Sequence, residues 1–160
     1  KSANLSESVY NQAVKLGEAG KIQESLNLLN QIKGNYAKAK TLYDSMNSFH
    51  KKVSLWLGTW KHRGTVNGEK TTYYITFSEV LYKGEPCIKI KDMNNKSLGY
   101  DVEISSKNHI TQIEVGKYMI HFKLKNNHNQ KLTYTLLEGK KMLRELKYEG
   151  VTYKTKYKKK

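Results

Sequence analysis

One cysteine, Cys87, and one proline, Pro86, stand side by side in this 160-residue chain. A lone thiol excludes an intrachain disulfide and any Cys-x-x-Cys metal site, and no residue nominates itself as a base for it. Beside Ile88 in an alternating run, Cys87 reads as a small strand residue, with Pro86 at the start or edge of that strand. Long apolar runs are also missing: nothing approaches the roughly 18 residues that a membrane-spanning helix needs. Arginine is nearly absent. Of 29 basic residues only Arg63 and Arg144 are arginine, against 14 acidic residues and a formal net charge of +15. Arginine supplies the planar fork that reads phosphates and base edges, whereas lysine is a hydrated point charge. The excess therefore reads first as a solvated lysine-rich surface and second as loose attraction to an anionic envelope or membrane surface, and it disfavours nucleic acid as a partner. The histidines, at 50, 62, 109, 121 and 128, show no metal-ligand spacing. Most acidic residues fall at turns or outward strand positions, so no paired carboxylates for acid–base work are indicated. No catalytic residue, metal or cofactor is expected, and the chain reads as a non-enzyme.

What is present is a change of period near Leu55-Trp56-Leu57-Gly58-Thr59-Trp60. Before it apolar residues recur at helical spacing; after it they alternate, and those two spacings belong to helix and strand. Asn4-Leu5-Ser6-Glu7 reads as a capped helix start, followed by a stripe at Val9, Ala13 and Leu16 and a stop at Gly20. Ile22, Leu26, Leu29 and Ile32 make a second stripe, ended by Lys33-Gly34-Asn35. Tyr36, Ala39, Tyr43, Met46 and Phe49 make a third. Residues 1–52 are expected as a helical segment and 53–160 as a β domain.

The run Ala13-x-x-Leu16-x-x-x-Gly20-Lys21-Ile22-x-Glu24-Ser25-Leu26-x-x-Leu29 resembles the helix–turn–helix of a tetratricopeptide repeat. Tyr36-Ala37-Lys38-Ala39 through Leu42-Tyr43 resembles the first helix of a following unit. Ser25 stands where the repeat usually has Ala, and the closing Pro is missing. One and a half units imply a helical cap or spacer more than a peptide-binding groove.

From residue 57 onward nine short alternating runs are separated by turn chemistry about every ten residues, with Asn67-Gly68 the strongest hairpin signal. Short links make sequential strands antiparallel neighbours, and a long meander with one dry face per strand is best satisfied by closing on itself. The fold class expected is therefore α+β: three helices, then an antiparallel up-and-down barrel of 8–10 strands. The lysines after Val151-Thr152-Tyr153 read as a solvated terminus. Gly58-Thr59-Trp60 at the head of this meander resembles the Gly-x-Trp that opens lipocalins and the wider calycin group. That resemblance implies a Trp60 that plugs one end of the barrel under a basic residue from a late strand, for which Arg144 and Lys154 both stand available. It also implies an extracytoplasmic domain, as in bacterial surface lipoproteins, with a lipid or transmembrane anchor upstream of Lys1.

Alternation puts Trp60, His62, Tyr73, Ile75, Phe77, Tyr100, Tyr118, Phe122 and Tyr134 on the inward phase of their strands, the candidate ligand-binding set. Their aromatic bodies and hydroxyl tips suit a small apolar or amphipathic ligand. The same side chains can equally fill the interior, since eight strands enclose just enough space for them. Two functions stay open. One is an anchored binding protein whose barrel holds such a ligand; the other is a filled structural module that docks a protein partner or an anionic cell-wall polymer. A monomer is expected in either case. Trp60 is expected to be buried, and Trp56, before the glycine, to be more tolerant of change.

Overall fold

The computed structural model describes residues 2–66, 68–92, 102–103, 110–116, 119–124 and 131–160. Three helices come first: α1 (Ser2–Glu18), α2 (Ile22–Ile32) and α3 (Ala37–Val53). Nine antiparallel strands follow among the described residues: β1 (Gly58–Val66), β2 (Glu69–Tyr82), β3 (Glu85–Asp92), β4 (Val102–Glu103), β5 (Ile110–Val115), β6 (Met119–Leu124), β7 (Lys131–Leu137), β8 (Lys141–Tyr148) and β9 (Val151–Lys159). The fold is α+β, helices followed by a barrel-like antiparallel sheet. By compactness the chain divides into two units, 1–54 with 78–88, and 55–77 with 89–160. The tip of the β2–β3 hairpin thus belongs to the helical unit.

In the helical unit, α1 begins at Ser2, so Asn4 and Glu7 lie within the helix rather than capping it. The cost of a polar residue inside a helix is only a few tenths of a kcal/mol, and continuing the backbone ladder outweighs it. The end of α1 follows the expected glycine turn. Lys21 N–H donates to Leu16 O at 2.9 Å and Gly20 N–H to Gly17 O at 3.0 Å, with Gly20 at φ 82°. Ala13, Leu26, Leu29, Ala39, Leu42 and Met46 form a core that also takes in Leu81 from the hairpin tip. Leu81 enters because Gly17 has no side chain: a Cβ there would collide with Leu81 Cδ1 and Cγ. Ser25 is fully buried between the helices, and its hydroxyl donates to Ala13 O at 2.6 Å. That bond satisfies the polar group that stands where the repeat pattern would place alanine. His50 on α3 meets the buried Glu79 carboxylate, with Nδ1 2.9–3.0 Å from its two oxygens.

In the strand unit the sheet order is β4-β3-β2-β1-β9-β8-β7-β6-β5. The meander therefore joins its first strand to its last. Trp60 pairs with Lys159 and Lys61 with Lys158, and Lys160 N–H donates to Thr59 O at 2.9 Å. The expected last run extends through Lys159 as β9, a central strand whose lysines at 154, 156 and 158 are exposed as expected. Strand pairing satisfies its backbone on both sides, and Tyr157 on its inward phase is buried, which together outweigh its charge. β4 and β5 stand at the two ends of the order. The expected run 98–104 lies outside the described residues except for β4, as do the turns at 94–96, 105–108 and 126–129.

Candidate functional site

The inward face of the strand unit begins at β1 and β2, whose register sets Trp60 opposite Ile75 and His62 opposite Tyr73. Trp60, Ile75, Phe77 and Tyr134 are all at most 1% exposed. Phe77 and Tyr134 meet edge to face with centroids 5.5 Å apart, a favourable aromatic geometry. Trp56 belongs to the same cluster. It is fully buried, its ring 5.3 Å from Phe77, and its Nε1–H donates to Gly116 O at 3.1 Å. The expectation that Trp56 tolerates change is therefore corrected. It precedes the strand, so alternation carries no information about where its side chain goes. Trp60 Nε1–H donates to the Trp56 backbone O at 2.9 Å, which ties the Trp60 indole to the segment that carries Trp56.

Lys159, which is not among the expected candidates Arg144 and Lys154, places its Nζ 5.4 Å from the Trp60 ring centre. Lys159 is the cross-strand partner of Trp60 and also donates to Leu55 O at 3.2 Å. Burial, and then the charge of Lys140, hold its amine below the usual lysine range. Lys154 is exposed, and Arg144 is buried on the inward phase of β8 between Met142 and Leu146.

Further along the same face the packing is looser. His62 and Tyr73 are half-buried, with rings stacked at 6.0 Å and 16°. His62 Nδ1 lies 2.9 Å from Lys156 O, an acceptor, so Nδ1 carries the proton and Nε2 accepts in the neutral ring. The ring lies over Gly64, where a Cβ would come 2.8 Å from Nε2. Tyr100 and Tyr118 lie outside the described residues, as does the side chain of Phe122, whose backbone pairs with Leu132 and Ile113. Among the described residues no group of three or more His, Cys, Asp or Glu is placed to hold a metal ion.

The outward face carries what periodicity could not show. Lys158 on β9 pairs with Lys61 on β1 and with Lys141 on β8. Lys131 on β7 pairs with Lys147 on β8. Directly opposite residues in an antiparallel pair have Cβ atoms about 5 Å apart, and like charges there oppose folding. Glu145, opposite Lys154, is the one carboxylate on the outward phase of β7, β8, β9 and β1. Alternation identifies these lysines as outward but not as neighbours, because that needs the register. No protein-family model matches this chain, and no curated protein or solved structure matches it.

Proposed function

We propose that this is a non-enzymatic interaction module whose inward face serves the fold and whose outward lysine face binds an anionic partner. One observation carries the reading: lysine stands opposite lysine in the middle of the sheet. Glu145 is a single carboxylate among these rows, and at Lys158 both directly opposite residues are lysines, so an anion laid across the rows relieves repulsion that the fold itself does not. The tight burial of Trp60, Ile75, Phe77 and Tyr134, packed with Trp56, supports a structural role for those four of the nine inward residues. An extracytoplasmic location and an upstream anchor belong to this proposal through the lipocalin-like Gly58-Thr59-Trp60, and the helices serve as a spacer.

Titration with inorganic polyphosphate tests the reading. Binding that weakens steeply with added salt is expected, because exposed charges are screened within about 10 Å at 0.1 M salt. Absence of binding at low salt would overturn it. A second reading, a barrel that holds a small amphipathic ligand, is favoured by the half-buried His62 and Tyr73. A hydrophobic fluorescent probe displaced by fatty acid would support that alternative, and no probe binding would remove it.

A further inference from the structure

The outward lysines do not stand alone. Met119 on β6 is opposite Thr135 on β7, and Leu137 lies two residues further along β7, so Met119 and Leu137 are diagonal neighbours on the outer face. Such pairs are about 7–8 Å apart, within reach of long side chains. Leu143 on β8 faces Thr135 from the other side. Met119 is 52% exposed and Leu137 39%, with Leu143 half-buried beside them. Lysines border this apolar strip: Lys141 is opposite Leu137, Lys156 is opposite Leu143, and Lys158 adjoins Lys141.

Resting on the function proposed above, we infer that this strip and its lysines dock the strand unit on an anionic lipid bilayer. The residue types distinguish among anionic partners. Single-stranded nucleic acid stacks its bases on aromatic side chains, and protein interfaces are enriched in aromatics, methionine and arginine and depleted in lysine. Here the apolar members are two leucines and a methionine, and the cations are all lysine. Aliphatic side chains that reach the acyl boundary, flanked by lysines at the level of the phosphates, are what interfacial membrane binding requires. Each lysine held near an anionic leaflet strengthens binding roughly fivefold.

Sedimentation of the whole chain with phosphatidylcholine vesicles, with and without phosphatidylglycerol, provides the test. Binding to the phosphatidylglycerol vesicles alone is expected, with release at high salt. Lys141→Gln with Lys158→Gln should weaken it roughly 25-fold. Lys15→Gln with Lys38→Gln, which removes the same charge from the helical unit, should change it little. Met119→Ser with Leu137→Ser should weaken vesicle binding severalfold and leave polyphosphate binding intact, and cooperative melts with midpoints no lower than the parent's would show that all variants fold. Polyphosphate binding without vesicle binding would overturn the bilayer inference and leave the anionic-partner reading standing. Loss of both would overturn both. Equal binding to the two kinds of vesicle, or an apolar variant as tight as the parent, would overturn the bilayer inference.

Discussion

The two units handle charge in opposite ways. Of the 29 basic and 14 acidic residues, nine and six fall in the helical unit, which leaves twenty and eight in the strand unit. In the helical unit charges find partners: Lys40 meets Asp44 at 2.8 Å one turn away, and the buried Glu79 meets His50. In the strand unit Lys158 has lysines on both sides. A helix lets a chain pair charges locally, four residues apart, whereas in a sheet each neighbour comes from another strand and the register decides who meets whom. The strand unit tolerates the repulsion because its inward face is dense with buried aromatic and aliphatic side chains.

The largest effects should come from that inward face. Trp60→Ala and Trp56→Ala should each cost about 3–5 kcal/mol, the range for deleting a buried aromatic. Denaturant unfolding checks both, and a Trp56 variant of near-parental stability would contradict its place in the cluster. In the helical unit the His50–Glu79 contact should matter more than any surface residue. His50→Ala takes away the partner of a carboxylate only 7% exposed and should cost about 1–3 kcal/mol. Gly17→Ala should also destabilise, by about 1–2 kcal/mol, because the new Cβ meets Leu81.

Much of this architecture was legible in the residue pattern, and the exceptions share a cause. The alternating phases of β1, β2, β7 and β8 and the glycine stop after α1 are local signals, and they emerged from spacing alone. Lys159 over Trp60 was not legible, because it depends on β9 closing against β1 almost a hundred residues away. Leu81 joining the helical core depends on Gly17, where a missing side chain leaves no hydrophobic mark. Trp56 sits just outside the strand, where neither period applies. Of the candidate inward set, Trp60, His62, Tyr73, Ile75, Phe77 and Tyr134 can be placed on their strands, while what they do together is a matter of depth, which alternation does not encode.

Smaller effects sharpen the contrast between the units. Lys159 has its amine held below the ordinary range, so its charged form is less favoured in the fold than in the unfolded chain. The resulting cost is fully present at neutral pH and fades as pH rises through the folded-state value toward the ordinary lysine range. Lys140→Asn removes the neighbouring charge and suits the left-handed backbone there, at φ 56°. It should stabilise at neutral pH by about 0.5 kcal/mol, with a gain that shrinks in alkaline buffer; thermal melts across pH check the sign. Lys40→Thr in the helical unit should do the opposite and destabilise by about 0.3 kcal/mol, the usual worth of an exposed pair one turn apart.

The measurement closest to the central contrast is the thermal midpoint of Lys158→Thr against that of the parent chain over a series of salt concentrations. Threonine suits a strand and relieves two like-charge pairs at once. At low salt the variant should melt higher than the parent, and the gap should close as salt screens the lysines in the parent. A variant that melts lower at low salt, or a gap that salt leaves unchanged, would contradict an outer face built of unrelieved cations.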